Sequence, residues 1–485
     1  MTGHPKNHLS TVEACNRRLR ERGVEAEAAS WFDWGQPITM ARAPGRLDVM
    51  GGIADYSGSL VVQMPISESA MVAMQRLDGD QVEILSLPMD GAAEPRRYTV
   101  NVASVRAAAE GQPGHMASLL DVECGEKHWA SYLVGAFPIL MRDAGLCMSG
   151  GCRLMVDSMV PEGKGVSSSA AIEVATMLAV ARAFDVDLSP KRVALLCQRV
   201  EHQVAGAPCG IMDQMAVIFG QKDQLMALLC QPAERVGEVP IPSDVEIWGI
   251  DSGERHAVAG ADYSTVRTAA FMGHRILMEH AGVTVLPGAS GRVTAVEDPW
   301  AGYLCNIPVA AYESKWRAVL PMSMRGDEFL TLYDGTIDAV TRVDPDQDYA
   351  VRACAEHPIR ETARAEEFCR LLAAPLDDKA KLRLGQLMLS THDGYGRCGL
   401  DSPGTSQLVK WVREEGLARG LYGAKTTGGG SGGTVAVLAE AGAEQEVRAL
   451  AERYCDHLGH PVYLFRGSSY GAGHTGAWVV DSPSE

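Results

Sequence analysis

The chain has 485 residues, 46% of them hydrophobic and 22% charged, enough to bury a large core and to divide into two or three domains. Its 61 acidic residues outnumber its 44 basic ones, for a net charge of −17. That excludes a broad nucleic-acid or anionic-membrane face, which needs basic surface, but not an anionic small molecule held by a local cluster of N–H groups.

Residues 1–35 read as a helical lead-in without the apolar stretch of a signal peptide. "ITMARAP", from residue 38, predicts a strand, and "SLVVQMPISESAMVAMQRL" (59–77) two more. "EKHWASYLVGAFPILMRDAG" (126–145) has helical apolar spacing and ends on glycine; its apolar run is too short to span a membrane. "GCRLMVDSMVPEGKGVSSSAAIEVATMLAVARAF" reads as strand, turn, three serines and a long helix. A second helix at 189–206 opens on Ser-Pro, a favourable start. "VEIWGIDSGERHA" predicts a strand and a polar turn. The stretch 285–352 is punctuated by proline and glycine with little periodicity, and is expected to be an insertion. Helices resume at 360–372 and 378–393, followed by a glycine loop that opens into a strand. The alternation of strands and helices gives an α/β or α+β class, with no internal repeat. Twelve cysteines without a C-x-x-C pair predict reduced thiols in a cytoplasmic protein.

Three stretches carry chemistry. In "VPEGKGVSSSAA" (160–171), Gly163 and Gly165 permit close backbone approach, and Ser167, Ser168 and Ser169 stand at a helix start. Unpaired N–H groups there favour a phosphate, although a serine-capped helix after an ordinary turn gives the same pattern. It is not a Walker A loop, because Gly165 follows Lys164. "GAKTTGGGSGG" (423–433) holds six glycines, which suggests close approach or a plain hairpin loop. "APGRLDVMGGIADYSG" (43–58) brings Arg46, Asp48 and Asp55; Glu201 and Asp213 lie further on. Phosphoryl transfer needs one acid near a metal ion and another near the acceptor hydroxyl, but each acid alone is equally a surface charge.

Taken in order, P-G-R-x-D, then P-x-G-x-G-x-S-S-S-A, then G-x-x-C-G-I-M-D-Q, then G-A-K-x-T-G-G-G-x-G-G resembles the GHMP small-molecule kinases, galactokinase branch, from about residue 40 to 440. Within it the chain is most similar to the kinase region of the plant L-arabinokinases, without their large preceding region, so a stand-alone form is expected. The resemblance implies a two-lobed α+β fold, ribosomal protein S5 domain 2-like and then ferredoxin-like, split here as 1–220 and 221–485. It implies ATP and Mg²⁺, a small-molecule sugar, and no protein partner.

The same resemblance implies roles. Gly163, Lys164, Gly165, Val166, Ser167, Ser168, Ser169 and Ala170 would surround the ATP phosphates, with Ser169 and Glu201 on Mg²⁺. Asp213 would face the anomeric hydroxyl, and Arg46 would pair with it and with the moving phosphoryl group. Asp55, Gly210 and Tyr263 would contact the sugar, and Gly428 to Gly430 would support the cleft. Lys164 replaces the family's usual glycine and either touches phosphate or stays solvated. Trp129, in "HWASY", is read as core packing ahead of an adenine contact. Galactokinases carry Glu and His where this chain has Gly52 and Ile53, and use them to hold the hydroxymethyl arm of galactose. L-Arabinose lacks that arm, so the expectation is L-arabinose 1-phosphorylation, with Ile53 filling the vacated space. The alternatives are a galactokinase and a non-catalytic sugar sensor; sensors in the family have a damaged serine loop, intact here.

Overall fold

In the computed structural model, which describes residues 5–22, 31–89, 94–255, 261–288 and 291–480, one sheet dominates the N-terminal half. It contains β1 (Ile38–Met50), β2 (Leu60–Arg76), β3 (Gln81–Leu87), β4 (Arg96–Asn101), β5 (Cys152–Ser158), β6 (Gln224–Leu229) and β7 (Glu234–Pro240). The strand Ala477–Val480 returns from the far end of the chain to pair with β1. Spatial order runs from that strand through β1, β2, β5 and β3 to β4, with β6 joining β2 and β7 joining β6. The sheet therefore continues beyond residue 220, where the first lobe was expected to end.

All 13 residues of β1 are buried, because it is covered on both faces. Ala41 and Ala43 pack towards the helices, while Ile38 and Met40 meet Cys15 and Leu19 of α1 (Pro5–Arg22). The small alanines let α2 (Ser168–Ala183), the helix after the three serines, pack closely on β1 and β2.

The two strands expected over 59–77 are a single 17-residue strand. The first half of β2 pairs with β6, its second half with β5, and β1 runs along both. The apparent break is a dislocation: residues 66–68 of β2 stand opposite Gly45 alone, between the pairs Pro44–Ser69 and Arg46–Pro65. Pro65 offers no N–H to the ladder at this point, and the Arg46 N–H donates out of it, to the Val166 carbonyl at 3.0 Å. A second irregularity leaves Val49 as an extra residue of β1, between Asp48–Gln63 and Met50–Val62.

Helix α3 (Pro190–Val200) starts on a Ser189 side chain that accepts from the Arg192 N–H, as the Ser-Pro start predicts. The helix expected over 126–145 is broken at Gly135, where an added Cβ would meet the Ser131 carbonyl at 2.6 Å and Val200 at 2.7 Å. Helix α4 (Met212–Phe219) follows the "APCG" turn.

The second sheet holds β8 (Val245–Asp251), β9 (Leu421–Thr426), β10 (Thr434–Glu440) and β11 (Leu464–Arg466), in the order β9–β10–β8–β11. The six-glycine stretch is thus the turn of a hairpin. Helix α7 (Asp378–Arg397) packs on β9, α6 (Val351–Leu372) shares a core with the sheet, and α5 (Ala261–His280) packs on α6. Helix α6 begins nine residues before the expected 360 and runs through Pro358; burial of Cys354, Ala355, Ile359 and Phe368 outweighs the lost backbone bond. The aperiodic stretch 285–352 is structured: Trp300, Leu304, Tyr312, Phe329 and Tyr349 share one core with α5 and with Ile53, Tyr56 and Tyr395.

Candidate active site

Arg46 and Asp213 meet where β1 faces the first turn of α4. Arg46 Nε donates to Asp213 Oδ1 at 3.0 Å, and Nη2 donates to Oδ1 and Oδ2 at 2.7 and 2.9 Å. Arg46 Nη1 donates to the Gly165 carbonyl at 2.6 Å. Both residues line a cavity with Gly163, Gly165, Ser167–Ser169 and Gly429 on one side. Asp55, Cys209, Gly210, Met212 and Tyr263 line the other side. A fork-shaped cation thus sits between a phosphate-type loop and an acidic, hydroxyl-bearing wall.

The serine loop is built by backbone conformation. Gly163 and Gly165 have φ of 73° and 68°, and Ser167 adopts the same left-handed region at 59°. That is costly for a residue with a side chain, and such strain clusters at functional sites. It leaves Ser167 Oγ buried without a hydrogen-bond partner beside the start of α2. The two glycine stretches touch: a Cβ on Gly428 would lie 2.8 Å from the Gly165 carbonyl and 3.3 Å from Arg46. Val166 and Ala170 turn their side chains into the core and only their backbone is near the loop surface.

Behind the loop is a carboxylate cluster. Ser169 Oγ donates to Glu201 Oε1 at 2.9 Å, while Glu201 Oε2 is buried without a close partner and buried Glu173 lies beside Glu201 and Gln214. Burial, and then the Asp213 charge, push the Glu201 carboxyl up to about 7. The Glu173 carboxyl is also raised, by burial first and then by Glu201. An orphaned carboxylate oxygen beside a serine hydroxyl suits a hard cation such as Mg²⁺. Among the described residues, no three His, Cys, Asp or Glu side chains converge as a metal site. A cation here would therefore share its shell with phosphate oxygens. Glu173 escaped sequence reading, although it lies four residues after Ser169, on the same helix face.

On the acceptor side, Asp55 lies directly over Gly210: a Cβ on Gly210 would sit 1.7 Å from Asp55 Oδ2. Burial, then the Asp213 charge, push the Asp55 carboxyl up to about 7, against the pull of Arg267. Tyr263 stands edge-on to Tyr56, ring centroids 5.8 Å apart. Of the stretch 255–267 that carries Tyr263, residues 256–260 lie outside the described residues.

Three expectations change and one is extended. Lys164 Nζ pairs with Asp251 Oδ2 at 2.7 Å, its side chain still 20% exposed. Trp129 packs against the core, as read, and also lines a second cavity of about 300 Å³ with Arg96, Tyr132 and Arg255, which shares Gly163, Ser168 and Ser169 with the first. Ile53 points into the apolar core with Tyr56 and Tyr395, not into the cavity. Gly52 is also outside the cavity lining, because a Cβ there would sit 1.7 Å from Tyr395 Oη. Tyr395 in turn donates to the Gly428 carbonyl at 2.6 Å. Nothing local in the sequence marks Tyr395, which reaches this turn from α7.

Comparison with known proteins agrees with this layout. The GHMP kinases N terminal domain model matches residues 131–221, the GHMP kinases C terminal model 376–456, and the galactokinase galactose-binding signature 33–76. An L-arabinokinase from Arabidopsis thaliana is 39% identical over 97% of this chain. The chain spans about half of that relative's length, 49%. A galactokinase from Chloroflexus aggregans is 29% identical over 88% of the chain and 91% of its own length. Among solved structures, the Lactococcus lactis galactokinase complexed with galactose superposes with a TM-score of 0.68, covering 94% of this chain and 98% of that one at 18% identity. A mevalonate kinase follows at 0.54 and 14%, covering 89% and 99%. The GHMP kinase N- and C-terminal models thus match this chain in order, on the fold shared with the galactokinase and mevalonate kinase structures.

Proposed function

We propose that this protein transfers the γ-phosphoryl group of ATP to the anomeric hydroxyl of a free sugar, L-arabinose in preference to D-galactose. The observation that carries the transfer is the Arg46–Asp213 pair, set between the serine loop and the Asp55–Gly210–Tyr263 wall. The sugar oxygen attacks the γ-phosphorus, the bond to the β–γ bridging oxygen breaks, and ADP leaves. Asp213 accepts a hydrogen bond from the attacking hydroxyl and orients it; the proton passes to Asp213 or to the phosphorylated product. Arg46 offsets the charge of Asp213 and of the phosphoryl group in transit. Ser167, with its unpaired hydroxyl, and the N–H groups at the start of α2 take phosphate oxygens. Ser169 and Glu201 would hold Mg²⁺, whose role is to neutralise phosphate charge. The Trp129 cavity, continuous with the serine loop, is large enough for the base of the nucleotide.

The choice of sugar is supported by the 39% identity to an L-arabinokinase and by the closed turn at Gly52 and Ile53. The exclusion works through Tyr395 rather than through Ile53: its hydroxyl occupies the position any side chain at 52 would need. Positions 52 and 53 then offer no polar side chain to a hydroxymethyl arm, and a buried, unpaired hydroxyl costs about 1–3 kcal/mol. The deciding experiment compares kcat/KM for L-arabinose and D-galactose by ADP release. L-Arabinose should be favoured by about tenfold or more; equal or better use of galactose refutes the sugar assignment.

A further inference from the structure

Arg267 and Asp338 lie behind the acceptor wall and take no part in the proposed chemistry. Arg267 is on α5 and Asp338 in the stretch 285–352, yet they form a two-pronged pair: Nε donates to Oδ2 at 2.8 Å and Nη2 to Oδ1 at 2.7 Å. They are 6% and 2% exposed. Asp338 is itself fixed, accepting from the Thr341 N–H at 3.0 Å, its hydroxyl at 2.6 Å and the Val340 N–H at 3.1 Å.

The remaining arm of Arg267 reaches the sugar side. Nη1 donates to the carbonyls of Pro208 and Cys209, at 3.0 and 3.3 Å. His202 Nε2 meets the same Cys209 carbonyl at 2.8 Å. These carbonyls lead directly into Gly210, on which the Asp55 carboxylate rests. Cys209, Gly210 and Asp55 all line the cavity. The guanidinium also lies over the rings of Tyr56 and Phe271, at 5.4 and 5.5 Å, which fixes its plane. A buried guanidinium needs a compensating carboxylate to stay where it is.

We propose that Asp338, acting through Arg267, is a positioning residue that holds the 207–210 loop against Asp55 and so sets the affinity for the acceptor sugar. This rests on the sugar-kinase reading. It gives Asp338, in the stretch 285–352, a task at the acceptor wall.

The test uses the full chain and three variants: Asp338→Asn, Asp338→Glu, and the double change Arg267→Met with Asp338→Leu. The double variant removes both charges of the pair and releases the two carbonyls, and Asp55, which also faces Arg267, becomes easier to protonate; its folding is checked by denaturant unfolding before the kinetics are read. In Asp338→Asn and the double variant, KM for the sugar should rise at least about tenfold while KM for ATP stays within about twofold. ATP affinity measured without sugar should be unchanged, and Asp338→Glu should recover part of the loss. A folded double variant with unchanged sugar KM overturns the inference. So does a parallel rise in both KM values, which a merely structural role would produce. Failure of the unaltered chain to turn over any free sugar overturns the kinase reading itself, before any variant is made.

Discussion

Lys425 and Asp48 form an ion pair fully removed from solvent on both sides, Nζ to Oδ2 at 2.5 Å, and it ties the last glycine motif to the first. Lys425 also donates to the Asp48 carbonyl at 2.9 Å, and Asp48 Oδ1 accepts from Gln63 Nε2 at 2.7 Å and the Gly52 N–H at 3.2 Å. Lys425→Met would strand a buried carboxylate and should destabilise the protein by about 3–5 kcal/mol in urea unfolding. Adding Asp48→Asn should return part of that loss; no recovery would mean the pair is not coupled.

Asp213→Ala should lower kcat by about a hundredfold or more, since it removes the group that orients the acceptor hydroxyl. The Asp213 side chain is 20% exposed but its partner Arg46 is buried and loses its carboxylate, so the unfolding midpoint should fall as well, and kcat is compared on protein shown to be folded. Single-turnover kinetics at saturating ATP would show whether the loss lies in the chemical step. A fully active variant refutes the assignment.

Restoring a glutamate at position 52 should not by itself create a galactose site. Gly52→Glu drives a Cβ against Tyr395 Oη and should cost about 1–3 kcal/mol of stability, read as a lower melting temperature, without gain in galactose turnover. Combined with Tyr395→Ala, which vacates most of that space, the same substitution should recover part of the loss; the remainder comes from Asp48 Oδ2, 2.8 Å from the added Cβ. Gain of galactose activity by the single change would contradict the packing described here.

The raised Asp55 carboxyl gives a pH signature. Its folded value of about 7 exceeds the ordinary 3.8, so folding favours the protonated form. The stabilisation is complete below the ordinary value and is lost as pH rises through about 7. Asp55→Asn should flatten the fall in free-protein stability between pH 4 and 7, measured by denaturant unfolding of both forms. An unchanged slope would place the titration elsewhere.

The motifs were legible because each encodes a backbone demand met locally. Gly163, Gly165 and Gly428 supply left-handed turns, and the serines fall at a helix start whose position the apolar run of α2 fixes. Pairings across the chain were not legible. Tyr395 lies 343 residues after Gly52, and Arg267 and Asp338 come from different elements, so no window of sequence contains either pair. The ion pair of Lys164 was not legible for the same reason: its partner Asp251 comes from β8. Pro358 misled in the opposite direction, because its local signal to stop a helix was overridden by the core around α6.

The extra residue Val49 in β1 has a bearing on how the first motif can change length. Strand side chains alternate, so a one-residue deletion at Val49 would restore an unbroken ladder with β2 and at once exchange the faces of the residues on one side of it. Asp48 would leave Lys425, or the turn carrying Asp55 would lift off Gly210, with every polar group still present in the chain. The count of residues between Asp48 and Asp55 is therefore a ruler as well as a sequence. Insertions and deletions there should be far less tolerated than substitutions of the buried aliphatic side chains along the same stretch.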